Sequence, residues 1–329
     1  MLPKFLAERF FASWLTRKIL QFSVRNLKTV DDFQGLVSKY FEQLVQGSTD
    51  ALTVSGLEHL DPTGQYLFIS NHRDIVMDSS LINLLLFRAG IETCRMAVGD
   101  NLLHNPLAAD LMRLNKSFVV ERDLASSRAG YRAMTRTSHY VRHSLQKHTS
   151  VWIAQRQGRA KDGFDRTDPA LIKMLALAYR KQAEPIRELL SNGALVPVSL
   201  SYEVDPCAPA KARELAALAR DGEYAKGEEE DLDSMIQGLV GYKGQVHVHF
   251  SPPIAQDCDS VEQLAERLDS AIVGGIRVFS TNRYADALLA DVASDSHANS
   301  KAMSALKIQL DQCPEEQRAF LLQQYANIC

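Results

Sequence analysis

Short apolar segments of strand length alternate with longer helix-like segments along most of this chain. Such alternation is typical of an α/β fold, in which helices cover a central sheet. The sequence therefore predicts a central mixed, largely parallel sheet flanked by helices. The strand candidates are residues 52–54, 66–70, 95–98, 117–120, 151–154, 195–202 and 245–250. The helix candidates are residues 2–24, 30–46, a stretch ending at 86, 101–114, 125–148, 168–190, 208–220 and the chain from 260 onward.

The chain length of 329 residues can accommodate one large α/β domain with terminal additions, or two smaller domains. We expect an N-terminal helical segment over 1–48, an α/β domain over 49–258 and a helical C-terminal region over 259–329. The tail 296–329 has few core-like residues before an apolar-leaning end, so it could pack on the domain or serve association. The acidic stretch 221–233 is interpreted as a surface loop or the start of a helix.

Composition argues against some partners and favours one compartment. A formal net charge of −3 gives no global reason to expect nucleic-acid binding, so attraction to a phosphate or an anionic membrane must be local. An odd number of scattered cysteines without a C-x-x-C pair predicts neither a disulfide framework nor a zinc site. A reducing, cytoplasmic compartment fits this pattern. The cysteines are Cys94, Cys207, Cys258, Cys313 and Cys329.

Residues 2–24 have the pattern of an amphipathic helix with aromatic and basic side chains. Residues 1–28 contain six Lys or Arg and one acid, Glu8, a composition expected of an interfacial membrane anchor. A helix that packs on the main domain with a solvated basic face would show the same periodicity. No stretch approaches the ~18 apolar residues of a spanning helix, so membrane contact is expected at the surface only.

The segment 69–78, ISNHRDIVMD, places a histidine just past an apolar strand and two carboxylates shortly after it. A neutral imidazole can take a hydroxyl proton, and a carboxylate can fix its tautomer and stabilise the imidazolium. The pattern therefore predicts a general base at His72 with Asp78 or Asp74 as its partner. Taken alone, such a pattern is more often a structural hydrogen bond.

The segment 152–163, WIAQRQGRAKDG, turns from a strand into a glycine-bearing loop with three cations. A glycine such as Gly158 lets the backbone approach a ligand, and guanidinium groups bind phosphate through paired hydrogen bonds. The pattern indicates a phosphate site formed by Arg156, Arg159 and Lys161. A solvated basic turn would have the same composition.

Together, and in this order, four segments within about residues 50–255 resemble the glycerol-phosphate and lysophospholipid acyltransferase family. That family carries a His-x4-Asp motif preceded by Asn, an apolar strand ending in Arg, a Glu-Gly-x-Arg-type motif and a proline-bearing strand. Residues 241–254 also resemble its final strand. The corresponding segments here are Asn71-His72…Asp78, Phe118–Arg122, Gln157-Gly158-Arg159 and Val196-Pro197-Val198.

Two positions depart from the family pattern. Asp78 follows His72 by six residues, one more than the family spacing, whereas Asp74 follows it by only two. We favour Asp78 as the partner, because the apolar residues before it would then turn inward. Gln157 stands where the family commonly has Glu, so this position can form hydrogen bonds but carries no charge.

The resemblance implies direct transfer of a fatty acyl group from an acyl thioester, either acyl-CoA or acyl carrier protein. The acceptor would be a hydroxyl of glycerol 3-phosphate or a lysophospholipid, as in phospholipid biosynthesis. His72 would be the general base and Asp78 its orienting acid. The residues expected to bind substrate are Asn71, Arg73, Arg122, Arg156, Gly158, Arg159 and Lys161.

No metal or cofactor beyond the thioester co-substrate is expected. The chain would lie on the inner face of the membrane as a peripheral cytoplasmic protein, attached through its N-terminal helix. Two other functions fit the same residues. One is a hydrolase that activates water on a lipid or thioester, and the other is a non-catalytic lipid-binding protein built on an acyltransferase fold.

Overall fold

The computed structural model describes residues 29–100, 116–121, 127–227, 229–292 and 300–329. Three sequence predictions fall outside these ranges. They are the amphipathic helix over 2–24, the helix over 101–114 and the proposed substrate-binding residue Arg122.

Within the described residues, seven strands form a single sheet: β1 (Ala51–Ser55), β2 (Tyr66–Ser70), β3 (Arg95–Gly99), β4 (Ser117–Val120), β5 (Val151–Ala154), β6 (Ala194–Tyr202) and β7 (Gln245–Phe250). Their order is β1-β7-β6-β2-β5-β3-β4. From β6 to β4 every neighbouring pair is parallel, whereas β7 is antiparallel to β6 and parallel to β1. The predicted mixed, largely parallel sheet is confirmed, and each strand begins and ends within one residue of its predicted bounds.

Eleven α-helices flank the sheet in the described part of the chain. The first six are α1 (Val30–Ser48), α2 (Met77–Arg88), α3 (Ser127–Gln146), α4 (Pro169–Ala176), α5 (Pro185–Asn192) and α6 (Ala208–Asp221). The remaining five are α7 (Glu230–Val240), α8 (Val261–Gly274), α9 (Ser280–Leu289), α10 (Lys301–Gln312) and α11 (Glu315–Ala326). The helical C-terminal region expected from the sequence is thus present in the described residues.

The predicted single helix over 168–190 is wrong. The segment contains α4, a short 3-10 helix at Leu177–Tyr179 and then α5. Pro185 begins α5, and the residue before it, Glu184, has φ −129° and ψ 76°. Proline has no backbone N–H and disfavours helical backbone in the preceding residue, which suits Pro185 to the first position of a separate helix.

The central strand β2 is buried along its whole length because helices cover both faces of the sheet. Alternate side chains point to opposite faces. Phe68 belongs to a cluster with residues of α1 and α2, while Leu67 and Ile69 belong to a second cluster with residues of α3, α4, α5 and α8. These two layers fix β2, and with it the loop that follows.

A third apolar cluster joins the C-terminal helices to the rest of the molecule. It contains residues of α6, α9, α10 and α11, among them Ala212, Ala285, Leu306 and Leu321. The described residues 300–329 therefore pack on the body of the protein, which is the first of the two alternatives predicted for the tail.

Candidate active site

His72 lies two residues past β2, at the carboxyl end of the central strand. β5 and β6 run parallel to β2 on either side, so the loops after these strands meet there. Such a position is a common ligand site in α/β sheets. Two backbone hydrogen bonds hold the loop after β5 at this corner: Gln155 N–H donates to Ser70 O at 2.8 Å, and Ala160 N–H donates to His72 O at 2.7 Å.

Asp78, in the first turn of α2, is completely buried and is surrounded by hydrogen-bond donors. Its Oδ2 lies 2.8 Å from His72 Nδ1. The same oxygen accepts the backbone N–H groups of Arg73 at 2.6 Å and Asp74 at 2.9 Å. The other oxygen, Oδ1, accepts the hydroxyl of Tyr202 at 2.7 Å. Both carboxylate oxygens are therefore held in place.

The surroundings keep Asp78 ionised. Burial acts to raise the pKa of Asp78, but the hydrogen bond and charge of His72 and the hydroxyl of Tyr202 outweigh it and hold the pKa below its ordinary value. Burial, followed by the negative charges of Asp78 and Asp74, raises the pKa of Tyr202 well above its ordinary value. Tyr202 is thus a neutral donor at physiological pH. An ionised acceptor at Nδ1 places the ring proton on that nitrogen and leaves Nε2 to act as a base.

The six-residue spacing between His72 and Asp78 does not prevent their contact. Asp74 Oδ1 accepts the backbone N–H groups of Val76 and Met77, both at 2.9 Å, and so closes the turn that leads into α2. Burial, then the charge of Asp78, raises the pKa of Asp74. Of the two carboxylates left open by the sequence, Asp78 bonds to His72 and Asp74 caps the turn.

Asn71 and Arg73, both expected to bind substrate, point into the protein. The Asn71 amide donates to Leu200 O at 3.0 Å and accepts from Leu200 N–H at 2.8 Å, which ties the loop to β6. Arg73 Nη2 donates to Asp165 Oδ2 at 2.5 Å and to Gly163 O at 3.1 Å. Both side chains are buried, so their contacts shape the loop that carries His72.

His72 lines a cavity of about 460 Å³ whose lining combines charged and apolar residues. The cations of the lining are Arg156, Arg159, Lys161 and Lys226, and its acids are Glu121, Asp168 and Asp231. Its apolar residues include Ile75, Ala97, Val98, Val120, Met134, Leu171 and Met174. The structure therefore brings His72, three of the predicted cations and several apolar side chains together around one space.

Gly158 also lines this cavity. Its φ is +75°, and a Cβ there would meet no atom within 4 Å. Its conformation, rather than a close contact, therefore favours glycine at this position.

The cations of the cavity differ in their partners. Lys161 pairs with Glu214, and Lys226 pairs with Asp231. Arg156 and Arg159 make no ion pair within the described ranges. Arg159 Nη2 lies 3.4 Å from Ser234 Oγ, while its buried Nη1 has no hydrogen-bond partner there. A buried N–H group without a partner is costly.

Several residues that shape the site had no role in the sequence predictions. Tyr202 is the last residue of the proline-bearing strand β6. Its place in that motif was the only sequence signal of its contact with Asp78. Trp152 Nε1 donates to Ser70 Oγ at 2.9 Å, and its ring stands edge-on to His72 with centroids 6.1 Å apart. Asp165 and Ser234 belong to none of the sequence motifs. Their contacts with Arg73 and Arg159 arise only in the folded protein.

Two general properties concern the described residues as a whole. No group of histidine, cysteine and carboxylate side chains among them is arranged to hold a metal ion. None of the helices in the same ranges combines the length and apolar character required to cross a bilayer.

A family model described as Acyltransferase matches residues 51–162, which include β1, the His72–Asp78 pair and the cationic loop. The resemblance to acyltransferases inferred from the motifs is thereby confirmed. The match supports an acyltransferase, and it covers a shorter stretch than the motifs do.

A solved structure similar to this chain is that of the 1-acyl-sn-glycerophosphate (LPA) acyltransferase PlsC from Thermotoga maritima. The TM-score is 0.45 at 15% sequence identity, and the similarity covers 80% of this chain and 89% of that one. A similarity of this size carries no conclusion about substrate or mechanism. No curated protein matches the chain.

Proposed function

We propose that this protein transfers a fatty acyl group from an acyl thioester to the hydroxyl of a phosphate-bearing acceptor, with His72 as the general base. The acceptor class is glycerol 3-phosphate or a lysophospholipid, and the donor is acyl-CoA or acyl carrier protein. The observation that carries this proposal is the contact of His72 with ionised Asp78 at a cavity that also holds Arg159, whose buried N–H group is unsatisfied. The match to the Acyltransferase family model supports the reaction class.

In the proposed reaction, His72 Nε2 removes the proton of the acceptor hydroxyl as its oxygen attacks the thioester carbonyl carbon. Asp78 stabilises the positive imidazolium that results. The tetrahedral intermediate then breaks its carbon–sulfur bond, and the departing thiolate takes the proton from His72. The products are an ester and a free thiol, and His72 returns to its neutral form.

Arg156 and Arg159 would hold the acceptor phosphate, and Lys161 and the backbone at Gly158, which line the same cavity, would contribute to its binding. Guanidinium groups suit this role because they bind phosphate oxygens through two parallel hydrogen bonds. A fixed phosphate would keep the hydroxyl near His72, and such positioning can lower a barrier by several kcal/mol. The apolar residues of the cavity lining would accommodate the acyl chain.

The experiment that tests this function offers the purified protein labelled long-chain acyl-CoA and a panel of acceptors. The panel contains glycerol 3-phosphate and lysophosphatidic acid, their phosphate-free counterparts glycerol and monoacylglycerol, and water alone. We expect labelled ester only with the phosphate-bearing acceptors. Equal transfer to the phosphate-free acceptors would contradict the phosphate site. If acyl-CoA gives no product, acyl carrier protein replaces it as the donor.

The other two functions predict different results in the same assay. A hydrolase would release the label as free fatty acid, whether or not an acceptor is present. A non-catalytic lipid-binding protein would give no turnover with either donor. Its support in the sequence was Gln157 and the altered spacing after His72. The spacing leaves the contact between His72 and Asp78 intact, and Gln157 lines the cavity.

Replacement of Arg159 by Gln is expected to raise KM for the phosphate-bearing acceptor about 10- to 100-fold, since a charge-assisted hydrogen bond contributes about 1.5–3 kcal/mol. The variant should leave KM for a phosphate-free acceptor and the thermal stability nearly unchanged. Arg166→Gln is the matched control, because Arg166 is an exposed arginine of the same loop that stacks on Phe164. An equal rise of KM in both variants would count against a phosphate site at Arg159.

We also propose that the protein is peripheral on the cytoplasmic side of the membrane and attaches through residues 1–28, as their basic and aromatic composition suggests. In this proposal 1–48 is the attachment segment, 49–258 the acyltransferase domain and 259–329 a helical region packed on it. Deletion of residues 1–28 should reduce pelleting with vesicles that contain anionic lipid by at least several-fold. Unchanged pelleting would contradict this means of attachment.

A further inference from the structure

The end of α11 packs against the loop that follows the cationic residues of the site. Asn327, directly after α11, donates from Nδ2 to Asp162 O at 2.6 Å. Gly163 has φ +85°, and a Cβ there would lie only 2.8 Å from Gln324 O. The backbone of this loop is therefore in direct contact with the last turn of the C-terminal helix.

The same loop holds the side chain of Arg73. Gly163 O and Asp165 Oδ2 accept hydrogen bonds from Arg73 Nη2 at 3.1 and 2.5 Å. The backbone N–H of Arg73 in turn donates to Asp78 Oδ2 at 2.6 Å, the oxygen that contacts His72. A continuous series of contacts thus leads from Asn327 to the carboxylate that orients the base.

A second series of contacts reaches the carbonyl group of Arg73 from the same helix. The hydroxyl of Tyr325, within α11, accepts the backbone N–H of Asp205 at 2.9 Å. The Asp205 carboxylate pairs with Lys211, which is almost completely buried. Lys211 Nζ donates to Arg73 O at 2.7 Å. Arg73 is therefore fixed at its guanidinium and at its carbonyl by groups that rest on α11.

We propose that α11 and Asn327 position the His72–Asp78 pair, and that Arg73 transmits this effect to Asp78. The expected effect on kcat rests on the proposed function. The expected effect on the geometry of the His72–Asp78 pair rests on the contacts alone. It gives the C-terminal region a role in the site, although more than 240 residues of sequence separate Asn327 from His72.

The packing of α11 makes the proposal testable without unfolding the sheet. α11 belongs to the third apolar cluster, which shares no residue with the two clusters on the faces of the sheet. Removal of the Asn327 side-chain amide should therefore loosen the loop at 162–165 and leave the strands in place. We expect such a variant to keep its fold but to hold Asp78 in an altered geometry.

The experiment compares Asn327→Ala with Gln323→Ala in the full-length protein. Gln323 lies one turn earlier, its side chain is exposed, and its replacement removes an amide of similar size. We expect kcat of Asn327→Ala to fall about 3- to 10-fold, the effect of one lost hydrogen bond, with KM unchanged. Gln323→Ala should behave as wild type. Tyr325→Phe, which removes the hydroxyl near Asp205, should lower kcat in the same way.

A spectroscopic measurement separates this inference from the proposed function. The His72 Nδ1 proton, observed by NMR in histidine-labelled protein, should broaden or shift in Asn327→Ala and remain as in wild type in Gln323→Ala. If the wild type transfers no acyl group, the proposed function fails. The His72 resonance alone then tests whether Asn327 positions the His72–Asp78 pair. An unchanged resonance and unchanged kcat in Asn327→Ala would overturn the inference, even if its melting temperature were lower.

Discussion

Replacement of His72 by Ala is expected to lower kcat for acyl transfer by about 10³-fold, within the 10²–10⁴ range of general acid–base catalysis. The imidazole is the group that would take the hydroxyl proton, and its Nδ1 is already bound to Asp78. KM for the acceptor should change little, because the proposed phosphate contacts involve other residues. Initial rates at saturating acceptor measure the effect.

Folding of this variant needs its own control. The Ala side chain leaves Asp78 with one fewer donor in a fully buried position, which should cost about 1–3 kcal/mol of unfolding free energy. Circular dichroism and a denaturation curve should still show a folded protein. His59→Ala, at an exposed histidine in the 3-10 helix Leu57–His59, should retain full activity. A His72→Ala rate within a few-fold of wild type would mean that another group is the base.

Replacement of Asp78 by Asn is expected to lower kcat by about 10²- to 10⁴-fold while it largely preserves shape. The asparagine oxygen can take the place of Oδ2, and its NH2 group can donate to the hydroxyl oxygen of Tyr202. The negative charge beside His72 is lost, however, so the imidazolium formed during the reaction is no longer stabilised. Kinetics at saturating acceptor, with the stability of each variant measured in parallel, test this expectation.

Asp74→Asn is the matched control for this carboxylate. It removes an acid from the same turn, and its amide oxygen can still accept the N–H groups of Val76 and Met77. We expect a much smaller loss of kcat than for Asp78→Asn. Equal losses in the two variants would contradict the assignment of Asp78 as the partner of His72.

The parts of the fold that could be predicted from the sequence are those with strong local patterns. Apolar runs such as Tyr66–Ser70 are buried strands because both faces of the sheet are covered, and all seven were found at their predicted positions. The helix over 168–190 was wrong because the α-helical backbone already ends at Ala176, and Pro185 begins a separate helix.

The site could be predicted only in part, for a similar reason. The types of residue near His72 indicated a base, an acid and a group of cations. The orientation of their side chains depends on contacts between distant segments, such as Asn71 with Leu200 or Arg73 with Asp165. No local pattern distinguishes a cation that lines the cavity from one that points inward. No sequence pattern predicts the positioning role proposed for α11, since it arises entirely from packing.

The most direct test of acyl transfer by His72 is to follow labelled acyl-CoA in a reaction with lysophosphatidic acid, for wild type and His72→Ala, with acceptor binding measured on the same preparations. If acyl carrier protein is the donor, its labelled thioester replaces acyl-CoA in the same design. We expect labelled phospholipid from the wild type and almost none from the variant, with similar acceptor affinity in both proteins. Phospholipid formed equally fast by His72→Ala would contradict the role of His72, and label released only as fatty acid would contradict acyl transfer itself.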